Sequence, residues 1–288
     1  MSVLLFLVSI VLPAAVGYVV ICGGSGLGRA EKIIYSYLVG AAFLTFYLFI
    51  LGMAGIPFSG LTIGPFFVLA GVGALFRRDR LVAALRTDSV PERRRLSPRK
   101  RILFGVVSLL LLLKIAYLVF MVSSVPTLFW DAYTLWNLKA KQIYMSGGSG
   151  FFTGSFDYYP LGQPIIRAWS ALVGGGWEPL FANGHGVLLY CLLIGLVYCH
   201  LRRERGSLQA VLFAYLLAAV PVLINNAMSG YADIAVSCYY LAAVVALEHW
   251  RKGNQAVMLV VSGLMSAMAM FTKNEGIAIA FPGLMPYN

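Results

Sequence analysis

The chain has 288 residues, of which 60% are hydrophobic and 11% are charged, and its mean hydropathy is +0.83. Since a soluble domain carries roughly a quarter charged residues, the composition excludes a soluble globular protein and predicts an integral membrane protein. A net charge of +11 would suit a nucleic-acid partner, but in a membrane chain it is better explained by topology. We therefore expect a lipid bilayer as partner and no nucleic acid.

The apolar runs predict an all-α polytopic protein, because they are long and lack the alternation of a membrane barrel. We predict about eight or nine transmembrane helices. Their spans are 2–22, 33–53, 61–76, 102–124, 181–200, 207–225, 231–250, 256–272 and a ninth starting near 277. The shorter segment 161–176 carries Arg167 and ends in three glycines. We interpret it as an interfacial helix in the first large external loop.

The basic residues fix the predicted orientation. Seventeen of the 22 Lys and Arg residues fall in loops on one side of these spans, and ten of them lie between Arg77 and Arg101. The positive-inside rule places that side in the cytoplasm. We predict a multi-pass protein of the inner, cytoplasmic membrane whose active face is external, periplasmic in a bacterium. The loop 77–101 is either an ordinary topogenic loop or a site for anionic lipid.

The chain reads as a single membrane domain, 1–288. Residues 1–101 hold the N-terminal spans and the basic loop, and residues 102–288 hold the remaining core. The four cysteines form no CxxC pair and predict neither a metal site nor a disulfide framework; they are Cys22, Cys191, Cys199 and Cys238.

The first external loop supplies the main candidate residue, Asp131. It heads a predicted amphipathic helix rich in aromatic rings, and its alternative role is that of a simple helix N-cap. Lys139 and Lys141 follow on different faces of this helix, since residues two apart do not share a face. At most one of them is expected to face the same site as Asp131.

Three further polar segments are predicted on the same face. Asp157 and Tyr158 lie in an aromatic stretch that is suited to stack on a sugar. Asp233 begins a span, where its carboxylate either favours the helix dipole or serves a site. Lys273 and Glu275 break two apolar runs, as an ion pair or as part of a phosphate site.

Lys114 lies near the middle of a predicted span, too deep to reach either surface. It must pair inside the bundle or face a polar cavity.

These segments together carry a family resemblance. Their order, 130–141, 157–160, 230–233 and 272–276, resembles that of bacterial GT-C glycosyltransferases. The branch it most resembles depends on polyprenyl-phosphate sugars and includes protein O-mannosyltransferases and aminoarabinose transferases. The chain departs from the pattern in having three spans before the one that leads into the external loop. It also stops inside an apolar run, so we expect it to be the N-terminal part of such an enzyme.

The resemblance implies transfer of a hexose or pentose from a polyprenyl-phosphate carrier to a glycan, lipid or protein acceptor of the cell envelope. It implies Asp131 as the catalytic base. Because the leaving group is already a stabilised anion, a cation near the phosphate suffices, and Lys139, Lys141, Arg167 and Lys273 are candidates. No cofactor is required, although a divalent metal bridging Asp131, Asp157 and the phosphate is an open alternative.

Two other functions remain open. A transporter or flippase for lipid-linked sugars predicts broken helices and ionisable residues near the midplane, which Lys114 fits. The second of these alternatives is an inactive, truncated membrane protein. Convergence of Asp131, Asp233, Lys273 and Glu275 at one external cavity would favour the enzyme.

Overall fold

The computed structural model describes residues 2–22, 26–86, 96–127, 129–148 and 158–278, apart from the side chains of residues 85 and 86. All regular structure in these ranges is helical, which confirms the all-α membrane fold. The α-helices are α1 Ser2–Ile21, α2 Arg29–Met53, α3 Gly60–Phe76, α4 Arg78–Arg86, α5 Pro98–Ser124, α6 Asn137–Met145, α7 Gly162–Gly174, α8 Pro179–Arg205, α9 Ser207–Ala218, α10 Pro221–Ser229, α11 Asp233–Gly253 and α12 Ala256–Thr272.

The described residues contain fewer transmembrane helices than the eight or nine predicted, and the ninth run, which starts near 277, lies mostly outside these residues. In the described residues four helices, α1, α2, α5 and α8, are long and apolar enough to span a bilayer, or up to six spans if each bent pair counts as one. The bent pairs are α3 with α4, at 81°, and α9 with α10, at 66°. The helix α12 has only 17 residues, and α11 carries charged residues in both its first and its last turn. The apolar runs in the sequence alone do not distinguish a straight spanning helix from a bent pair or from a shorter helix.

Two glycines bring α1 and α2 into close contact. A Cβ atom on Gly40 would lie 1.7 Å from the Pro13 carbonyl oxygen, and one on Gly17 would lie 1.9 Å from the Ser36 carbonyl oxygen. Small residues at a crossing let two membrane helices approach at backbone distance, where dispersion forces are strongest. This pair therefore forms the firmest contact of the N-terminal part.

The same proline determines how α7 docks. Pro13 lies inside α1 and has no N–H, so the carbonyl of Ser9, four residues earlier, loses its helical donor. The Trp169 indole Nε1 donates to that carbonyl at 2.9 Å. The helix α7 lies where the interfacial helix was predicted, but its first ten residues are all buried. It is an internal helix rather than one lying on the membrane surface.

The predicted span 207–225 is broken after Ala218. Pro221 begins α10, and the chain bends between the two helices. The freed Ala218 carbonyl accepts from Lys114 Nζ at 3.1 Å and from the Tyr190 hydroxyl at 2.7 Å. The ammonium group also lies 5.4 Å from the centre of the Tyr215 ring. Lys114 thus pairs inside the bundle, where its positive charge interacts favourably with the negative C-terminal end of the α9 dipole.

The start of α2 and the ends of α8 and α11, which carry basic residues, lie together at one end of the bundle, hereafter the basic end. The buried carboxylate of Glu31, in α2, accepts from Arg203 of α8 and lies 3.3 Å from His249 of α11. Lys252 of α11 pairs with Glu204 of α8 at 2.8 Å. These ion pairs bring the predicted cytoplasmic turns together, as the charge count requires.

Candidate active site

The opposite end of the bundle, hereafter the aromatic end, gathers the four polar segments. Trp136 and Tyr159 have ring centres 5.0 Å apart, which joins the first segment to the second. The carbonyl of Tyr158 accepts from the Asn274 side chain at 3.2 Å, which joins the second to the fourth. Segments that lie more than 100 residues apart in sequence therefore meet at one place.

The remaining contacts close this arrangement. The rings of Phe129 and Tyr231 lie 5.9 Å apart, so the residues just before Asp131 touch the turn that leads into α11. At the first residue of α11, Asp233 accepts from Lys273 Nζ at 2.9 Å. The aromatic end is therefore a ring of contacts in which each polar segment touches two others.

Lys273 is the central cation of this ring. Its ammonium group lies 2.9 Å from Asp233 and 3.3 Å from Glu275, and its side chain is mostly buried. Burial acts against the charged form, but the hydrogen bond and charge of Asp233, together with Glu275, raise the pKa of Lys273 above its ordinary value. It therefore stays protonated at neutral pH and presents a fixed positive charge.

Asp131 lies exposed beside this ring. It precedes a single π-helical turn, Ala132–Trp136, that leads directly into α6. Its side chain makes no capping hydrogen bond, so the N-cap interpretation is not supported. Single π-turns often occur at functional sites, because they re-aim side chains relative to the regular helix that follows.

The two lysines of α6 lie on different faces, as predicted. Lys139 is buried, whereas Lys141 is exposed and lines a cavity of about 310 Å³. Tyr133, Asn137 and Trp177 also line this cavity, hereafter the α6 cavity. Aromatic faces together with an exposed ammonium group suit a sugar or a sugar phosphate.

A buried polar network lies behind the α6 cavity. Asn137 donates to Thr127 at 2.7 Å and to the Asn183 side-chain oxygen at 2.9 Å. Arg167, which is fully buried, donates through Nη1 to the Asn137 side-chain oxygen. This network fixes the start of α6 against α7 and α8.

Arg167 keeps unused hydrogen-bonding capacity. Its Nε and Nη2 atoms are buried and have no hydrogen-bond partner in the described part of the chain. Burial lowers the pKa of Arg167 to about 9, so it remains charged at neutral pH. Gly230, at φ +84°, lets the α10–α11 turn approach closely, since a Cβ there would lie 3.2 Å from Arg167 Nη1.

The predicted site residues thus fall into distinct groups. Asp233, Lys273 and Glu275 meet directly, Tyr158 adjoins them, and Asp131 reaches them only through its neighbouring residues. Asp157 lies outside the described residues. The network residues Thr127, Asn137 and Asn183 were not predicted as a site, although asparagines near the starts of α6 and α8 were a signal.

No group of three or more His, Cys, Asp or Glu side chains could hold a metal ion in the described ranges. Because Asp157 falls outside them, a metal bridge between Asp131 and Asp157 stays a prediction. None of the four cysteines forms a disulfide bond.

Residues 160–287 match the family model for dolichyl-phosphate-mannose-protein mannosyltransferase. The resemblance to GT-C glycosyltransferases is confirmed. No curated protein and no solved structure matches the chain. The mannosyltransferase match begins at Pro160 and includes α7 with Arg167, the Gly230–Asp233 turn and the Lys273–Glu275 segment. Asp131, Lys139 and Lys141 precede the matched residues, so their roles depend on the contacts described above.

Proposed function

We propose that the protein transfers a sugar from a polyprenyl-phosphate carrier to an acceptor hydroxyl at the external face of the cytoplasmic membrane. The observation that carries this proposal is the ring of contacts at the aromatic end. It unites the mannosyltransferase-like segments with the residues around Asp131. The ring lies opposite the basic end, which the positive-inside rule assigns to the cytoplasm.

In the proposed reaction the oxygen of the acceptor hydroxyl attacks the anomeric carbon of the sugar, and Asp131 takes the proton of that hydroxyl. The bond between that carbon and the phosphate oxygen breaks, and its electron pair stays on the polyprenyl phosphate. Asp131 is suited to this role because its carboxylate is exposed and makes no capping bond. A base placed in this way contributes roughly 10²–10⁴-fold to the rate.

Two cations are suited to the leaving phosphate. Lys273 is fixed by Asp233 and Glu275 at the ring, and Lys141 is exposed at the α6 cavity. Arg167 is fully buried against Asn137. We assign it the role of positioning Asn137 and α6 rather than contacting the phosphate.

Transport of a lipid-linked sugar receives less support. The broken α9–α10 helix and Lys114 are the features that such a function predicts. Lys114, however, binds the Ala218 carbonyl at the break and so has a structural role there. Its contacts give no sign of a passage across the membrane.

The test is a transfer assay with the purified full chain in proteoliposomes that contain radiolabelled polyprenyl-phosphate mannose, or other sugars on the same carrier. Asp131→Asn should lower product formation by about 10²-fold or more. Asp79→Asn is the matched control and should leave transfer unchanged, because Asp79 is also an exposed aspartate near a helix start but lies at the basic end. Near-normal transfer by Asp131→Asn would overturn the role of Asp131. Absence of transfer by the unaltered chain from every donor would overturn the proposed function.

A further inference from the structure

A second site lies at the other end of the molecule, between α1, α2 and α3. Here an apolar groove of about 610 Å³ opens on the surface, hereafter the elbow groove. Its lining includes Ala15, Val19, Ile33, Phe67, Gly71 and Leu81. This volume is within the range of roughly 300–1,000 Å³ that small-molecule sites occupy.

The groove lies along a part of α3 that packs loosely against α1 and α2. At its start α3 is held firmly, since the Tyr47 hydroxyl donates to the Thr62 carbonyl at 2.6 Å and the Tyr47 and Phe66 rings stack at 5.2 Å. The buried residue Ile63 lies in this same first part of α3, and no residue of α3 after it is buried. Since α1 and α2 are locked together by Gly17 and Gly40, they do not close against this part of α3.

The helix α4 closes the groove at the basic end. It turns back by 81° from α3. The Ala84 carbonyl accepts from Lys32 Nζ at 3.0 Å, and the Arg77 guanidinium donates to the Val19 carbonyl at 3.0 Å. The floor of the groove is therefore built of defined polar contacts rather than of loose chain.

The groove is apolar along its whole length. Its lining from Val11 to Val19 extends about 12 Å along α1, close to the depth of one leaflet of a bilayer whose apolar core is about 30 Å thick. The hydroxyl group of Ser36, on this lining, is already engaged with the Lys32 carbonyl. The groove itself thus offers an almost wholly apolar surface.

Cations surround the floor. Arg77, Arg78 and Arg80 are exposed at the α3–α4 bend, against the single carboxylate of Asp79. Because the Arg77 guanidinium donates to the Val19 carbonyl, this group of cations lies next to the end of α1 and the floor of the groove.

We propose that the elbow groove binds an anionic phospholipid of the cytoplasmic leaflet, with one acyl chain between α1 and α3 and its phosphate on Arg77 and Arg80. Basic pockets between membrane helices on the cytoplasmic side are typical sites for anionic headgroups. The apolar lining excludes a headgroup from the groove itself, and the charge at its floor favours an anionic lipid over a zwitterionic one. This site is separate from the aromatic end and does not depend on the proposed transfer reaction.

The charge requirement is tested by reconstituting the full chain in nanodiscs of phosphatidylcholine with phosphatidylglycerol and counting retained lipids by native mass spectrometry. The unaltered chain should retain phosphatidylglycerol preferentially. A Lys or Arg near an anionic membrane surface contributes about one fivefold step in affinity for an anionic lipid. Arg80→Gln alone should therefore lower that preference by about fivefold, and Arg77→Gln with Arg80→Gln by about 30-fold. The single variant keeps the Arg77 contact to Val19 and serves if the double variant does not fold.

The matched control is Arg99→Gln with Arg101→Gln, which removes two exposed cations from the start of α5 at the same end. It should leave the preference unchanged. An equal loss in this control, or equal retention of both lipids by the unaltered chain, would overturn the site at Arg77 and Arg80. Preferred retention of an added polyprenyl phosphate over phosphatidylglycerol would overturn the assigned occupant.

The groove requirement is tested separately with two glycines of α3. A Cβ atom on Gly71 or Gly64 meets no atom within 4 Å, but only Gly71 lines the groove. Gly71→Phe should fill the groove and lower the number of retained lipids at least threefold, whereas Gly64→Phe should leave it unchanged. Equal retention by both variants would overturn the groove as the binding site.

Discussion

Replacement of Gly40 by Ala tests the α1–α2 contact on which the N-terminal part is built. The new Cβ atom would lie 1.7 Å from the Pro13 carbonyl oxygen and 3.0 Å from the Gly17 nitrogen. Real Cβ contacts below 3.0 Å are essentially never observed, so the two helices must separate by more than 1 Å at their crossing. Overpacking of this kind costs about 1–3 kcal/mol or more.

Gly64→Ala is the matched control, because a Cβ at Gly64 meets nothing within 4 Å. In an open helical position the same substitution gains up to about 1 kcal/mol from helix propensity. The two variants should therefore shift the temperature of thermal unfolding in detergent in opposite directions. The unfolding free energy of Gly40→Ala should be about 2–4 kcal/mol lower than that of Gly64→Ala. If Gly40→Ala unfolds at the same temperature as Gly64→Ala, the close crossing is refuted.

Two further predictions concern backbone carbonyls. Trp169→Phe leaves the Ser9 carbonyl without the donor that replaces Pro13, so the unfolding free energy in mixed micelles should fall by about 1–3 kcal/mol; an unchanged value would contradict this. At the α9–α10 break, Lys114→Met and Tyr190→Phe each remove one of two donors to Ala218. The double variant should lose about 1–3 kcal/mol more than the sum of the single variants, and simple additivity would refute the shared role.

The helices that could be predicted best are those with strong local signals. The run 256–272 coincides with α12, and the predicted first, second, third and fourth spans correspond to α1, α2, α3 and α5. Apolar composition determines these helices because each must satisfy its backbone internally in lipid. Asp233 begins α11, as the helix-dipole interpretation allowed.

The deviations from the sequence predictions depend on tertiary contacts. The break of 207–225 had a local signal in Pro221, but the partners that stabilise it, Lys114 and Tyr190, come from other helices. The burial of α7 depends on the carbonyl that Pro13 frees in α1. Such pairings cannot be read from hydropathy, which does not report which helices are neighbours.

The candidate site was predicted in part. Four polar segments were assigned to one face, and contacts now join them. The network of Thr127, Asn137 and Asn183 was missed, because the sequence does not identify the distant partner of a single amide or hydroxyl side chain. Arg167 was one of the candidate phosphate partners because of its charge, and its complete burial is the reason why we propose a positioning role for it instead.

The most direct test of the central claim is the single-turnover rate of sugar transfer by Asp131→Asn at saturating lipid-linked donor. A general base acts on the chemical step, so the rate should fall about 10²–10⁴-fold while the donor concentration for half-maximal rate stays within about threefold. A rate equal to that of the unaltered chain, or a loss that higher donor concentration restores, would contradict the assignment of Asp131 as the catalytic base.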